Sequence, residues 1–229
     1  MSLAANRSAV ARFDRWSKTY DRGLRKSWFT RAQAAALDAA AAGREDRLLD
    51  VGCGTGGAVL AAARRPIAKA CGVDVSPGMI ARARANSGDL GNVEFRAGDA
   101  EAIPYPDAEF TIVVCTNSFH HYSDPVHALL EIRRVLRPGG RLVLVDPDRA
   151  GCAWVWGWDR ILRLAERSHV RYYTAPEIRR LLHAAGFTAI ELLASEHGHF
   201  RHGKVAWASS VIRAEAPRHA RASTPGETS

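Results

Sequence analysis

Residues 48–57, Leu-Leu-Asp-Val-Gly-Cys-Gly-Thr-Gly-Gly, constrain the fold more than any other stretch. An apolar run that ends in clustered glycines reads as a buried strand turning sharply into a helix. Such a turn lets backbone approach a ligand at the carboxyl edge of a sheet, beside a helix N-terminus. The following hundred residues keep the same rhythm. "RLLDVG", "ACGVDV", "NVEFRA", "EFTIVVCTN" and "RLVLVDP" read as strands. "GAVLAAARR", "PGMIARARANSG" (Pro77 in its first turn) and "DPVHALLEIRRVL" read as helices, the last stopped by Pro138-Gly139-Gly140. Alternation of this kind predicts right-handed crossovers and a parallel sheet covered on both faces.

The flanks extend this frame. Residues 8–42 read as helical, with alanine-rich "TRAQAAALDAAAAG" ending at Gly43. "TAPEIRRLLHAAG" is a further helix, with Thr174 and Glu177 spaced as a capping box. Residues 187–195 and 203–213 read as an antiparallel hairpin joined by the loop "EHGHFRHG".

With 229 residues, 47% of them hydrophobic, the chain supports one sizeable core. It has no run of 18 apolar residues and no apolar stretch of signal-peptide type at its start. Cys53, Cys71, Cys115 and Cys152 are scattered, with no C-x-x-C pair, which suits a reduced compartment, so a cytoplasmic protein is expected. The net charge of +8 is uneven. Residues 1–31 hold eight basic and two acidic side chains, whereas residues 44–148 hold twelve and fourteen. The excess therefore lies outside the sheet, where it reads as a solvated helical face.

The glycines alone leave two ligands open. Gly52, Gly54 and Gly57 satisfy the dinucleotide pattern G-x-G-x-x-G, and Gly52, Gly54 and Gly56 satisfy G-x-G-x-G. The acids discriminate. Asp50, two residues before the first glycine, would repel a pyrophosphate but suits the ammonium and sulfonium of S-adenosylmethionine. Asp74 ends the second strand, where ribose hydroxyls need an acceptor. Asp99, in "GDA" after the third strand, is placed to accept from an adenine amino group.

"LLDVGCGTG", "GVDVSPGMIARAR" and "FRAGDAEAIPYPDAEFTIVVCTNSFHHYSDPVHALLEIRRVLRPGGRLVLVD" together resemble the class I S-adenosylmethionine-dependent methyltransferases. The resemblance is to the small-molecule branch that includes the ubiquinone and menaquinone C-methyltransferases, and it covers residues 45–147. It implies an α/β, Rossmann-like three-layer sandwich. Its sheet would be seven-stranded and mostly parallel, of order 3-2-1-4-5-7-6 with strand 7 antiparallel, under an N-terminal helical lid. It divides the chain into a lid (1–43), a methyltransferase domain (44–213, with a substrate-covering insert at 151–170) and a mobile tail (214–229).

The resemblance also implies roles. Gly52, Gly54 and Gly56 would cradle the methionyl part, Asp50 would anchor its ammonium, and Asn117 would contact the same chain. Asp74 would take the ribose, Met79 would pack on the adenine, and Asp99 with the backbone of Ala100 would hold the adenine edge. Tyr20, in "KTYDRG", would close over the cofactor, S-adenosyl-L-methionine, which leaves as S-adenosyl-L-homocysteine.

The acceptor side is read from chemistry. The sulfonium methyl is already activated, so transfer needs chiefly alignment and a dry site. His120 and His121 follow the fourth strand, where one could act as base or acceptor clamp. Trp154, Trp156 and Trp158 could line an apolar pocket, and His199 of "HGHFRH" could touch the acceptor. No metal site is expected. The expected partner is a small, apolar or aromatic acceptor, not nucleic acid, with the protein a monomer or homodimer. The alternatives are a non-methylating reaction at the same cofactor site, or methylation of RNA.

Overall fold

Side chains on each central strand alternate between two helical layers. Leu48, Ile112, Val114, Val143 and Val145 join one apolar cluster, and their neighbours Leu49, Val113, Cys115, Leu142 and Leu144 join the other. The computed structural model describes residues 10, 11, 13–15, 17, 25–149, 171–199 and 205–218; for residues 25–27, 195–199 and 205–208 it describes the backbone alone.

In chain order the elements are α1 (Arg25–Ala40), β1 (Arg47–Val51), α2 (Gly57–Ala63), β2 (Lys69–Asp74), α3 (Pro77–Ser87), β3 (Val93–Ala97), β4 (Phe110–Thr116), α4 (Pro125–Val135), β5 (Leu136–Pro147), α5 (Ala175–Ala184), β6 (Thr188–His199) and β7 (Val205–Glu215). A 3-10 turn at Phe119–His121 follows β4. The sheet order is β3-β2-β1-β4-β5-β7-β6, as expected. β7 pairs antiparallel with both β5 and β6, and the pairs from β3 to β5 are parallel. The order reverses between β1 and β4. In open α/β sheets, the crevice beyond the strands' carboxyl ends at this reversal is where ligands bind.

Helices α1, α2 and α3 bury their apolar residues in one cluster, α4 and α5 in the other. Helix α5 carries the expected capping box, with Thr174 and Glu177 satisfying each other's backbone N–H.

Some element bounds differ from the sequence reading. Within the segment read as a lid, helix α1 buries Ala32, Ala36, Leu37 and Ala40 in the same cluster as Leu48, Ile112 and Val143, its small side chains letting it approach closely. It ends at Ala40, not Gly43. Ala41 takes the left-handed conformation (φ 47°), and the Arg141 guanidinium donates to the carbonyls of Ala40 (2.5 Å) and Ala41 (3.1 Å). Helix α4 runs Pro125–Val135 between its caps Asp124 and Leu136, as expected; Pro138 excludes its predecessor from helical geometry and Leu136 already pairs with Phe110. The hairpin is longer than its sequence suggests. "EHGH" lies within β6, with His197 opposite Ala208, and β7 runs to Glu215. Ala216 is buried and donates to Gly140 O, so the domain extends past residue 213.

Candidate active site

The turn after β1 is built from backbone. Gly52, Gly54 and Gly56 all have positive φ (78°, 53° and 87°). The N–H groups of Gly52 and Cys53 both donate to Val73 O on β2, at 2.8 and 3.0 Å. A methyl group on Gly52 would stand 2.4 Å from Ser118 Cβ. Ser118 belongs there: its hydroxyl and that of Tyr122 both donate to Val51 O, at 2.9 and 3.0 Å, bracing β1 from the segment after β4. Gly57 is a different case. It opens α2, and a Cβ there would stand 2.6 Å from the Gln33 side chain of α1. The left-handed set is thus the G-x-G-x-G reading, and Gly57 serves packing.

Among the buried side-chain oxygens that lack hydrogen-bond partners are Asp50 Oδ1 at the end of β1 and Asn117 Oδ1 just after β4. They flank the reversal in strand order. Burial, reinforced by the charge of Asp74, pushes the Asp50 carboxyl up to about 8. Asn117 has φ 54°, which asparagine tolerates, and its N–H donates to Val145 O. A buried carboxylate oxygen and a buried amide oxygen, each with lone pairs to give, suit a cationic donor such as an ammonium group.

Asp74 is partly exposed and holds two loops at once. Its Oδ2 accepts from Gly54 N and its Oδ1 from Ser76 N, both at 2.9 Å, leaving a lone pair on each oxygen for a vicinal diol. Burial outweighs these hydrogen bonds and holds its carboxyl above the usual range. Asp99 accepts from Glu101 N at 3.0 Å, and the adjacent Ala100 is buried. Their loop is fixed by Ile103 N donating to Glu131 and by Arg134 donating to the carbonyls of Ile103 and Tyr105. Met79 is buried in the first turn of α3.

Consecutive residues of the N-terminal segment touch both banks of the crevice. Asp14 Oδ1 accepts from Ser76 Oγ and from Gly78 N (2.9 Å), at the start of α3. The Phe13 ring meets His121 edge-on at 5.2 Å. Sequence reasoning passed over Asp14, because a lone acid among basic residues looks like a solvated charge.

The two histidines meet different partners. His121 faces Phe13, whereas His120 is buried with Nδ1 3.0 and 3.1 Å from the two oxygens of Asp146, itself buried near the end of β5. The His120 ring also lies tilted against those of His121 and Tyr172, with centroids 4.0 and 4.8 Å away. Asp146 was missed because it lies 26 residues from His120 and reads as part of a strand. Its parity with Leu142 and Leu144 at the strand's carboxyl end was the available signal. Tyr20, Trp154 and Trp158, together with the 151–170 insert, lie outside the described residues; His199 is described only as backbone in β6. No helix among the described residues is long and apolar enough to cross a membrane.

Residues 49–144 match a family model described as a methyltransferase domain. The chain is 38% identical over 142 residues to a demethylmenaquinone methyltransferase of Deinococcus radiodurans, covering 61% of this chain and 57% of that one. It is 42% identical over 113 residues to 27-O-demethylrifamycin SV methyltransferase of Amycolatopsis mediterranei, covering 46% and 42%. The chain thus spans about half the length of these relatives. The crystal structure of the YcgJ protein of Bacillus subtilis shares the fold, with a TM-score of 0.72 and 22% identity over 82% of this chain and 98% of that one.

Proposed function

We propose, from the premise that this chain belongs to the class I S-adenosylmethionine-dependent methyltransferases, that it binds S-adenosylmethionine in the crevice between β1 and β4 and methylates a small organic acceptor. The observation that carries this is the pair of unpartnered buried oxygens, Asp50 Oδ1 and Asn117 Oδ1, beside the left-handed glycine turn. A dinucleotide would bring a pyrophosphate to that place, where nothing in the pair favours an anion.

When bound, the sulfonium supplies a methyl group already activated for displacement. The chain's own residues then bind and align. Asp50 and Asn117 receive the ammonium, Asp74 the ribose hydroxyls, and Asp99 with Ala100 the adenine edge. Gly52, Gly54 and Gly56 let backbone close on the methionyl chain. The N-terminal segment, pinned by Asp14 and Phe13, keeps water out while the acceptor is aligned; orientation of this kind is worth roughly 7–11 kcal/mol.

The named substrates of the two curated relatives, demethylmenaquinone and a demethylrifamycin, are small organic molecules, and we read the acceptor here in the same class. We place the protein in the cytoplasm, as a monomer or homodimer that does not act on nucleic acid. Calorimetric titration with S-adenosylmethionine, S-adenosylhomocysteine and NADH tests the reading. Binding of the first two and not the third supports it; binding of NADH alone sinks it.

A further inference from the structure

We propose that Gln33 of α1 donates to the α-carboxylate of the cofactor's methionyl group, and that Gly57 is the gap that admits its amide to the glycine turn. This rests on the S-adenosylmethionine reading above and deepens it, from the cation that the crevice receives to the anion attached to it.

The need for such a donor comes from hydrogen-bond accounting. The methionyl end is a zwitterion, so its site has a carboxylate to satisfy as well as an ammonium. The side chains placed on the cofactor are chiefly acceptors: the carboxylates of Asp50, Asp74 and Asp99, and the buried oxygen of Asn117. The backbone of the turn is largely spent. Gly52 N and Cys53 N donate to Val73 O, Gly54 N to Asp74 Oδ2, and Gly56 N to Cys53 O. A side chain that reaches in from another element is the natural donor.

Gln33 is such a side chain. Along α1, residues 33, 36, 37 and 40 form one stripe, and Ala36, Leu37 and Ala40 are buried. Gln33 heads that stripe, where the pattern calls for an apolar residue. The C-terminal end of α1 is tied to Arg141, in the first half of β5, so the half that carries Gln33 lies toward the carboxyl edge of the sheet. There the polar end of Gln33, not its stem, covers Gly57. A Cβ on Gly57 would stand 2.6 Å from Gln33 Oε1, 2.7 Å from Nε2 and 2.9 Å from Cδ. Gln33 is half-buried, and its amide bonds to no described residue. For packing alone, methionine would fill the same gap without withdrawing an amide from water. The neutrality of the amide also matters. A guanidinium or ammonium here would be drawn to Asp50 and Asp74 and would compete with the cofactor's own ammonium, whereas an amide donates to the carboxylate and leaves the acids free.

Titrations with S-adenosylhomocysteine, its decarboxylated analogue and methylthioadenosine test this on the full-length protein. Gln33→Met should weaken S-adenosylhomocysteine about 10-fold and leave the other two ligands within about two-fold, since only the first carries the carboxylate. Gly57→Ala displaces the amide without removing it. It should cost the same for S-adenosylhomocysteine, and combining it with Gln33→Met should cost nothing more. Unchanged affinity in Gln33→Met, an equal loss for the decarboxylated analogue, or full additivity of the two substitutions overturns the proposal. The wild-type protein gives a second readout. The side-chain amide signals of Gln33 in nitrogen-15 NMR, identified by their absence from Gln33→Met, should shift with S-adenosylhomocysteine and stay in place with methylthioadenosine. Signals that respond equally to both ligands, or to neither, overturn it. Failure of S-adenosylhomocysteine to bind the wild type would sink the methyltransferase reading instead.

Discussion

The two banks of the crevice are made of different material. The β1–β2 side is shaped mainly by backbone: three left-handed glycines and paired N–H groups on Val73 O, with the Asp74 carboxylate clasping two loops. The β4–β5 side is shaped by side chains. Asn117, the His120–Asp146 dyad and the Ser118–Tyr122 brace each depend on a particular functional group. A bank made of backbone suits a ligand that is always the same. A bank made of side chains can be respecified by substitution without disturbing the turn.

The comparison breaks most visibly at the turn. Gly52→Ala places a methyl group against Ser118 Cβ and strains a φ of 78°. We expect about 3 kcal/mol of lost stability by denaturant unfolding, together with loss of cofactor binding. Ser118→Gly in the same chain should recover the steric part and leave the conformational part. If Gly52→Ala binds cofactor normally, the close approach of backbone is not needed.

Asp74→Ala tests the same bank more gently. Removing the carboxylate forfeits charged hydrogen bonds worth about 1.5–3 kcal/mol, so affinity for S-adenosylhomocysteine should fall roughly 10- to 100-fold. His120→Gln, on the opposite bank, should leave that affinity within about two-fold while turnover falls. Equal losses of affinity in both variants would erase the division between the banks.

Asp14→Ala gives the smallest effect. It removes the acceptor that joins the N-terminal segment to Ser76 and Gly78, so dissociation of S-adenosylhomocysteine should quicken by about three-fold. Stopped-flow release measures this. An unchanged rate would mean that the segment spans the banks without holding the ligand.

The same contrast explains what the sequence revealed. Backbone-built features leave local marks. The glycine turn, Asp50 and Asp74 stand within one strand–turn–helix unit or at the next strand's end, and strand alternation exposed the parallel core. Side-chain features assembled from distant segments leave weaker ones. Asp146 meets His120 across 26 residues, and Asp14 meets Ser76 across 62. The packing of helix α1 was hidden for a related reason. Its alanines carry little amphipathic pattern, and only the sheet shows that their smallness is what lets it pack. The hairpin was read short because Gly198 and three histidines look like a loop, whereas a strand near the sheet edge accepts polar residues.

Asp50 offers the most direct measurement. Its carboxyl is pushed up to about 8 in the free protein, so the folded state holds a proton there that the unfolded chain, near 3.8, has already released. This group's contribution to stability is therefore greatest below about pH 4 and is lost as pH rises through about 8; Asp50→Asn should remove that slope. An ammonium docking on Asp50 reverses the preference and expels the proton. Titrating S-adenosylhomocysteine at pH 6.5 in two buffers of different ionisation enthalpy should show release of about one proton per ligand, and none in Asp50→Asn. Proton uptake, or release that persists in Asp50→Asn, would contradict the claim that the crevice between β1 and β4 is built to receive a cation.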